Sequence, residues 1–217
     1  MADYCDILRS HNADDPLAIE ILRFETEEVL EGTLNSGQEI TLAFSLADEL
    51  GDEVGDDTSV AYEYTEVYDD EGVLVMQVPT TWADIDGRGW DYEGTIVGNA
   101  LSAAPSLAGF YETWDTPGVF FGASESLAAE VSPGDLLNLW DFSDDCTYDG
   151  TYDYDDNVYT GAHDLWTGCG GGETAFVVLE AYPASGDFVV FVQVQAVSDA
   201  DLEAFDAILR SFDVLSG

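Results

Sequence analysis

Apolar and polar positions are patterned most plainly between Gly172 and Val214. Thr174–Tyr182 (TAFVVLEAY) and Phe188–Ala196 (FVVFVQVQA) are β-branched and aromatic runs with the turn-rich Pro183–Asp187 between them, which predicts a hairpin. The second run is apolar on both faces at its start, the pattern of a central strand covered on both sides. From Ser198 the period changes: Leu202, Phe205, Ile208, Leu209 and Phe212 recur at helical spacing and predict a helix with one apolar stripe. Ser198 is placed to cap its first N–H groups. Asp199, Asp201 and Glu203 sit where the helix dipole favours anions, and Arg210 where it favours a cation. A hairpin with a helix across it is the core of an α+β domain. That core carries no His, Cys or Lys.

The remainder falls into two parts and a link. Ala2–Ser10 predicts a short helix with Tyr4, Cys5 and Leu8 inward, and Leu17–Phe24 and Glu28–Leu34 alternate as strands. Glu39–Leu50 alternates loosely, as a strand or short helix would, and Gly51–Asp57 is charged, glycine-punctuated and too polar to bury. From Val60 a second domain begins. Strands are expected at Glu63–Tyr68, Val73–Val78, Thr95–Ala103, Val119–Ala123, Tyr148–Tyr154 and Val158–Trp166. A brief helix or turn is expected at Leu107–Trp114, and a helix with Pro at its start at Pro133–Trp140. The division is residues 1–35, a linker over 36–59, and a domain over 60–217.

Charge narrows the function classes. There are 46 acidic residues against four arginines, no lysine, and a formal net charge of −42. Phosphates need cations, so neither nucleic acid nor an anionic membrane surface is an expected partner. A solvated acidic surface suited to salt, the plain acidity of a secreted protein, and dedicated calcium binding are the three ways to read the charge. Calcium is not expected: the carboxylates of Asp84-Ile-Asp86 and Asp153-Tyr-Asp155 alternate but do not continue to the bidentate Glu of an EF-hand. No run of about 18 apolar residues is present to span a membrane. Cys146 and Cys169 bracket a Tyr/Asp/Gly-rich segment and would pair in an oxidising compartment, leaving Cys5 as a buried thiol.

Candidate chemistry is sparse. Ser124 stands in Gly-Ala-Ser-Glu-Ser, without the second glycine of a nucleophile elbow, and no Gly-Asp-Ser-Gly-Gly occurs. His163 precedes Asp164 on an expected strand, so the two side chains point to opposite faces and form no local base–orienter pair. Two histidines and three scattered cysteines have no zinc spacing. Trp82, Trp90, Trp114, Trp140 and Trp166 would line a ligand groove or, as expected here, fill a core poor in Ile and Met. No catalytic residue, metal or cofactor is expected.

Two resemblances add to this. The helix ADYCDILRSH, the strand DPLAIEILR and the closing strand at Glu28–Leu34 resemble the second half of a PDZ domain, of the kind that follows the protease domain in HtrA/DegP-type serine proteases. In that family the helix forms one wall of the peptide groove, which would fall to Tyr4, Cys5 and Leu8. The carboxylate-binding loop and edge strand come before it, so the resemblance implies a chain truncated at an internal methionine. Val78-Pro-x-x-Trp82, the antiparallel middle and the last helix into Ile208–Phe212 resemble the PsbP-like α/β/α sandwich, a non-enzymatic fold. VPTTW, TPGVFFGAS, YTGAHDLW and CGGGETAFVVL are also similar to the tail after PDZ in secreted bacterial serine proteases. Together they imply a non-catalytic, protein- or peptide-binding accessory region of such a protease, extracellular or in the cell envelope. The alternative is a free-standing acidic envelope binding protein of PsbP-like fold.

Overall fold

The structure, a computed structural model, describes residues 17–23, 28–34 and 41–42 as backbone strands and residues 62–92 and 94–215 in full. The chain divides into two compact units, Met1–Ser45 and Leu46–Gly217. In the first, β1 (Leu17–Arg23) pairs antiparallel with β2 (Glu28–Leu34), in register from Leu17 opposite Leu34 to Arg23 opposite Glu28, and β2 pairs with the short β3 (Thr41–Leu42). The expected helix over Ala2–Ser10, with Tyr4, Cys5 and Leu8, lies outside the described residues.

The second unit is built on an antiparallel sheet. Its strands are β6 (Asp84–Asp86), β7 (Trp90–Tyr92), β8 (Thr95–Ala104), β9 (Gly118–Ser124), β10 (Thr147–Asp155), β11 (Tyr159–Cys169), β12 (Thr174–Pro183) and β13 (Val189–Ala196). They run β10-β11-β12-β13-β9-β8-β6, and β7 also pairs with β8. The β12–β13 hairpin is central, and Thr174–Ala181 are all buried, as two covered faces require. β6 and β7 share one edge of β8, pairing with its opposite ends. Gly87 and Gly89 break them apart. A Cβ on Gly87 would meet the Asp70 amide nitrogen at 2.7 Å, a contact only glycine allows.

Alternation along β12 and β13 sends side chains to two layers. On one face lies α3 (Asp199–Leu209), with Leu202, Phe205, Ile208 and Leu209 buried against β13 and against β5 (Leu74–Pro79). There β5 forms a small sheet with β4 (Tyr64–Tyr68) and β14 (Asp213–Val214). Phe212 continues the stripe, its ring 5.3 Å from Phe121 and 5.2 Å from Tyr159. On the other face lie α1 (Leu107–Glu112), α2 (Glu125–Glu130) and a 3-10 turn at Leu137–Leu139. The mixed, antiparallel architecture of strands and a few helices is the expected α+β class.

Two local expectations are corrected. Ser198 does not cap α3: its hydroxyl donates to Asp201 Oδ2 at 2.7 Å, and the same oxygen takes the Val197 N–H at 3.2 Å. Buried Asp201, whose Oδ1 takes the Tyr62 hydroxyl at 2.8 Å, therefore ties down the start of the helix. Nor is Pro133–Trp140 an α-helix. Gly134 takes φ +88°, outside right-handed helical space and open mainly to glycine, and only Leu137–Leu139 winds, as 3-10.

Candidate functional site

The 3-10 turn is held by an acid the sequence does not single out. Glu180 projects from β12 and is 1% exposed. Its Oε1 accepts the Gly134 N–H at 2.9 Å and the Tyr182 hydroxyl at 2.7 Å, and its Oε2 accepts the Leu136 and Leu137 N–H groups at 3.0 and 3.4 Å. A buried carboxylate is tolerated when donors of this kind surround it. Burial, then the Glu180 carboxylate, push the Tyr182 hydroxyl well above its ordinary range. The segment that Glu180 anchors leads directly to Trp140.

Trp140 stacks on Phe191, with centroids 4.9 Å apart and planes at 28°. Phe191 also stacks on Trp90, at 5.6 Å and 18°. Trp90 comes from β7 and lies over Gly122 of β9, where a Cβ would meet its Cε3 at 2.6 Å. The missing side chain at Gly122 is what lets the indole lie down on the sheet. Phe120 closes the group, edge-on to Trp90 at 5.6 Å.

Beside this stack opens a cleft of about 560 Å³, within the ~300–1,000 Å³ span of small-molecule sites. Strand register lays out its floor: Ser102, Phe120 and Gln193 are cross-strand neighbours on β8, β9 and β13, and Ala100, Gly122 and Phe191 form the row beside them. Tyr111 of α1 stands over Ser102, oxygen to oxygen at 2.7 Å. Tyr111 is 57% exposed as a residue, so the loss of water that raises its hydroxyl above the ordinary value is local to the end that meets Ser102. At the mouth Arg88 Nε donates to Asp86 Oδ1 and Oδ2 at 2.8 and 3.1 Å, and its Nη2 also bonds Oδ2. The guanidinium bonds hold the Asp86 carboxyl below its ordinary value. Asp91 Oδ1 accepts the Gly94 N–H at 2.8 Å.

The residues singled out from sequence are thus dispersed. Cys146 and Cys169 are joined in a disulfide with Cα atoms 4.1 Å apart, closing the open end of the β10–β11 hairpin. Cys5 lies outside the described residues. Ser124 is a capping residue: its Oγ accepts the Leu127 N–H at 3.0 Å and donates to the Val97 carbonyl at 2.6 Å. His163 stacks on Tyr152 at 5.6 Å, while Asp164, on the opposite face of β11, accepts from the Thr151 hydroxyl. Asp84 takes the Leu107 N–H at 2.8 Å, and Asp155 the Asn157 N–H at 2.9 Å. Among the described residues no group of three or more His, Cys, Asp or Glu could hold a metal ion, and no helix is long and apolar enough to cross a membrane. The tryptophans divide. Trp82, Trp90 and Trp166 are core, Trp114 packs edge-on to Phe142 and Phe176, and buried Trp90 and half-buried Trp140 border the cleft.

No protein-family model matches the chain, and no curated protein matches it.

Proposed function

We infer that the second unit is a non-catalytic binding module whose ligand enters the cleft between Tyr111, Arg88 and Trp140. One observation carries this: half-buried Trp140, stacked on the buried Phe191, lines a cleft beside hydrogen-bonding groups on the sheet floor, Ser102 and Gln193. Apolar walls with a few convergent polar groups are the usual composition of a binding site. The buried disulfide supports work in an oxidising setting, outside the cell or in its envelope. In that setting the module serves as the accessory part of a secreted PDZ-containing protease or as a free-standing envelope binding protein of PsbP-like fold. The β1–β2 hairpin favours the first, and a helix packed on an antiparallel sheet favours the second.

Ligand-observed NMR with a mixed set of small molecules and short peptides tests the binding reading. Binders should include some lost in Trp140→Ala but kept in Trp114→Ala, whose indole packs elsewhere. A set in which no probe distinguishes the two variants would remove the cleft as the site.

A further inference from the structure

We propose that the cleft's ligand is a neutral saccharide of one or two pyranose rings, an inference that rests on the binding reading above. A pyranose ring offers an apolar C–H face and a rim of vicinal hydroxyls, each both donor and acceptor. Its site must hold aromatic faces and fixed polar groups of both kinds within one ring's width. Half-buried Trp140, backed by the buried rings of Phe191 and Trp90, supplies the aromatic side. Gln193 brings one acceptor and an NH2 donor to the floor, Ser102 and Tyr111 bring hydroxyls, and the Asp86–Arg88 pair brings acceptor and donor together at the mouth.

Charge and burial decide against an anion and against a purely apolar ligand. An anion would approach a chain of net charge −42, a repulsion that Arg88 alone does not reverse because it is already paired with Asp86. A purely apolar ligand would cover Gln193 without giving its amide a partner, at about 1–3 kcal/mol for the group left unpaired. A neutral polyol meets none of these costs. The protein's field does not act on its net charge, and its hydroxyls can answer every polar group on the floor and at the rim.

The positions also set a division of labour. Trp140 is held over Phe191 by the segment that Glu180 anchors, so Glu180 is a positioning residue for the stacking platform. Gln193, facing Phe120 across β9, reads hydroxyls from below.

The test titrates the 217-residue chain with cellobiose, maltose, lactose, xylobiose and mannobiose. Indole and tetramethylammonium chloride serve as apolar and cationic probes. The indole N–H signals of Trp90 and Trp140 are followed by NMR at low and at molar sodium chloride. At least one disaccharide should shift both signals saturably, with the same Kd at both salt concentrations. Trp140→Ala and Gln193→Ala should each weaken it by about tenfold or more. If no disaccharide shifts them, or if binding survives both variants, the saccharide inference falls. Should indole or tetramethylammonium bind the cleft in that case, the binding reading stands without it. If neither does, both fall together.

Discussion

Glu180 on β12 and His163 on β11 sit one register position apart on adjacent strands, and both are buried. Removing Glu180 leaves the Gly134, Leu136 and Leu137 N–H groups buried beside a cavity. Glu180→Ala should therefore cost about 3 kcal/mol or more, and Tyr182→Phe, which removes one donor to the same carboxylate, about 1 kcal/mol. Urea unfolding of the two variants measures both, and equal losses would contradict the role given to the backbone contacts. His163 is 3% exposed. Burial lowers its pKa from the ordinary 6.5, against a smaller upward pull from Asp164. A lowered folded value means that between it and 6.5 the unfolded chain binds more protons than the folded one. The stabilising contribution is then complete above about 6.5 and lost as pH falls toward the folded value. The urea midpoint should drop between neutral and mildly acid pH, and more steeply than in His163→Phe. Parallel curves for the two proteins would show that another group titrates.

At the scale of elements, glycine decides where the aromatic stack can sit. Gly122→Ala puts a methyl 2.6 Å from Trp90 Cε3, so the ring must leave the sheet and the stack with Phe191 must open. The expected result is a changed Trp fluorescence spectrum and a loss of about 1–3 kcal/mol. An unchanged spectrum would mean that the indole is not lying on β9. The disulfide belongs to this scale too, because it closes the mouth of one hairpin. Its reduction should lower stability by about 3 kcal/mol in the chain-entropy account, read as a fall in melting temperature with reductant present. The elements themselves were legible where their signal was local. The β12–β13 hairpin and α3 announce themselves through period and turn residues. What was not legible depended on register. Nothing near Gln193 says that it faces Phe120 and, beyond it, Ser102. Nothing near Pro133 says that Glu180, 46 residues after Gly134, will take its neighbour's N–H groups. The short β6 and β7 were missed because three residues show no period. Ser124 before Glu125–Glu130 was a usable cap signal for α2 that went unread.

Over the whole molecule the dominant quantity is the excess of 46 carboxylates over four guanidinium groups. Salt shortens the range of their repulsion to about 8 Å at 0.15 M and about 3 Å at 1 M, while few ion pairs exist for it to weaken. The melting temperature should climb from low to molar sodium chloride, and potassium chloride should act alike. A flat or falling curve would contradict this, and a jump with micromolar calcium alone would point to a specific ion site.

The strand order also governs how the sheet can be made during synthesis. β13 lies between β12 and β9, although β10, β11 and β12 separate it from β9 along the chain. A chain emerging from the ribosome, or from a translocation pore, in N-to-C order presents β8 and β9 long before β13 exists. Until then β9 carries an unpaired hydrogen-bonding edge, the kind that joins neighbouring chains into aggregates. The dense negative charge gives such waiting chains a reason to stay apart. A ribosome-arrested chain ending at Gly172 should accordingly be cut rapidly by protease, and one released after Val214 should resist, because the last hairpin to emerge is the one that closes the sheet.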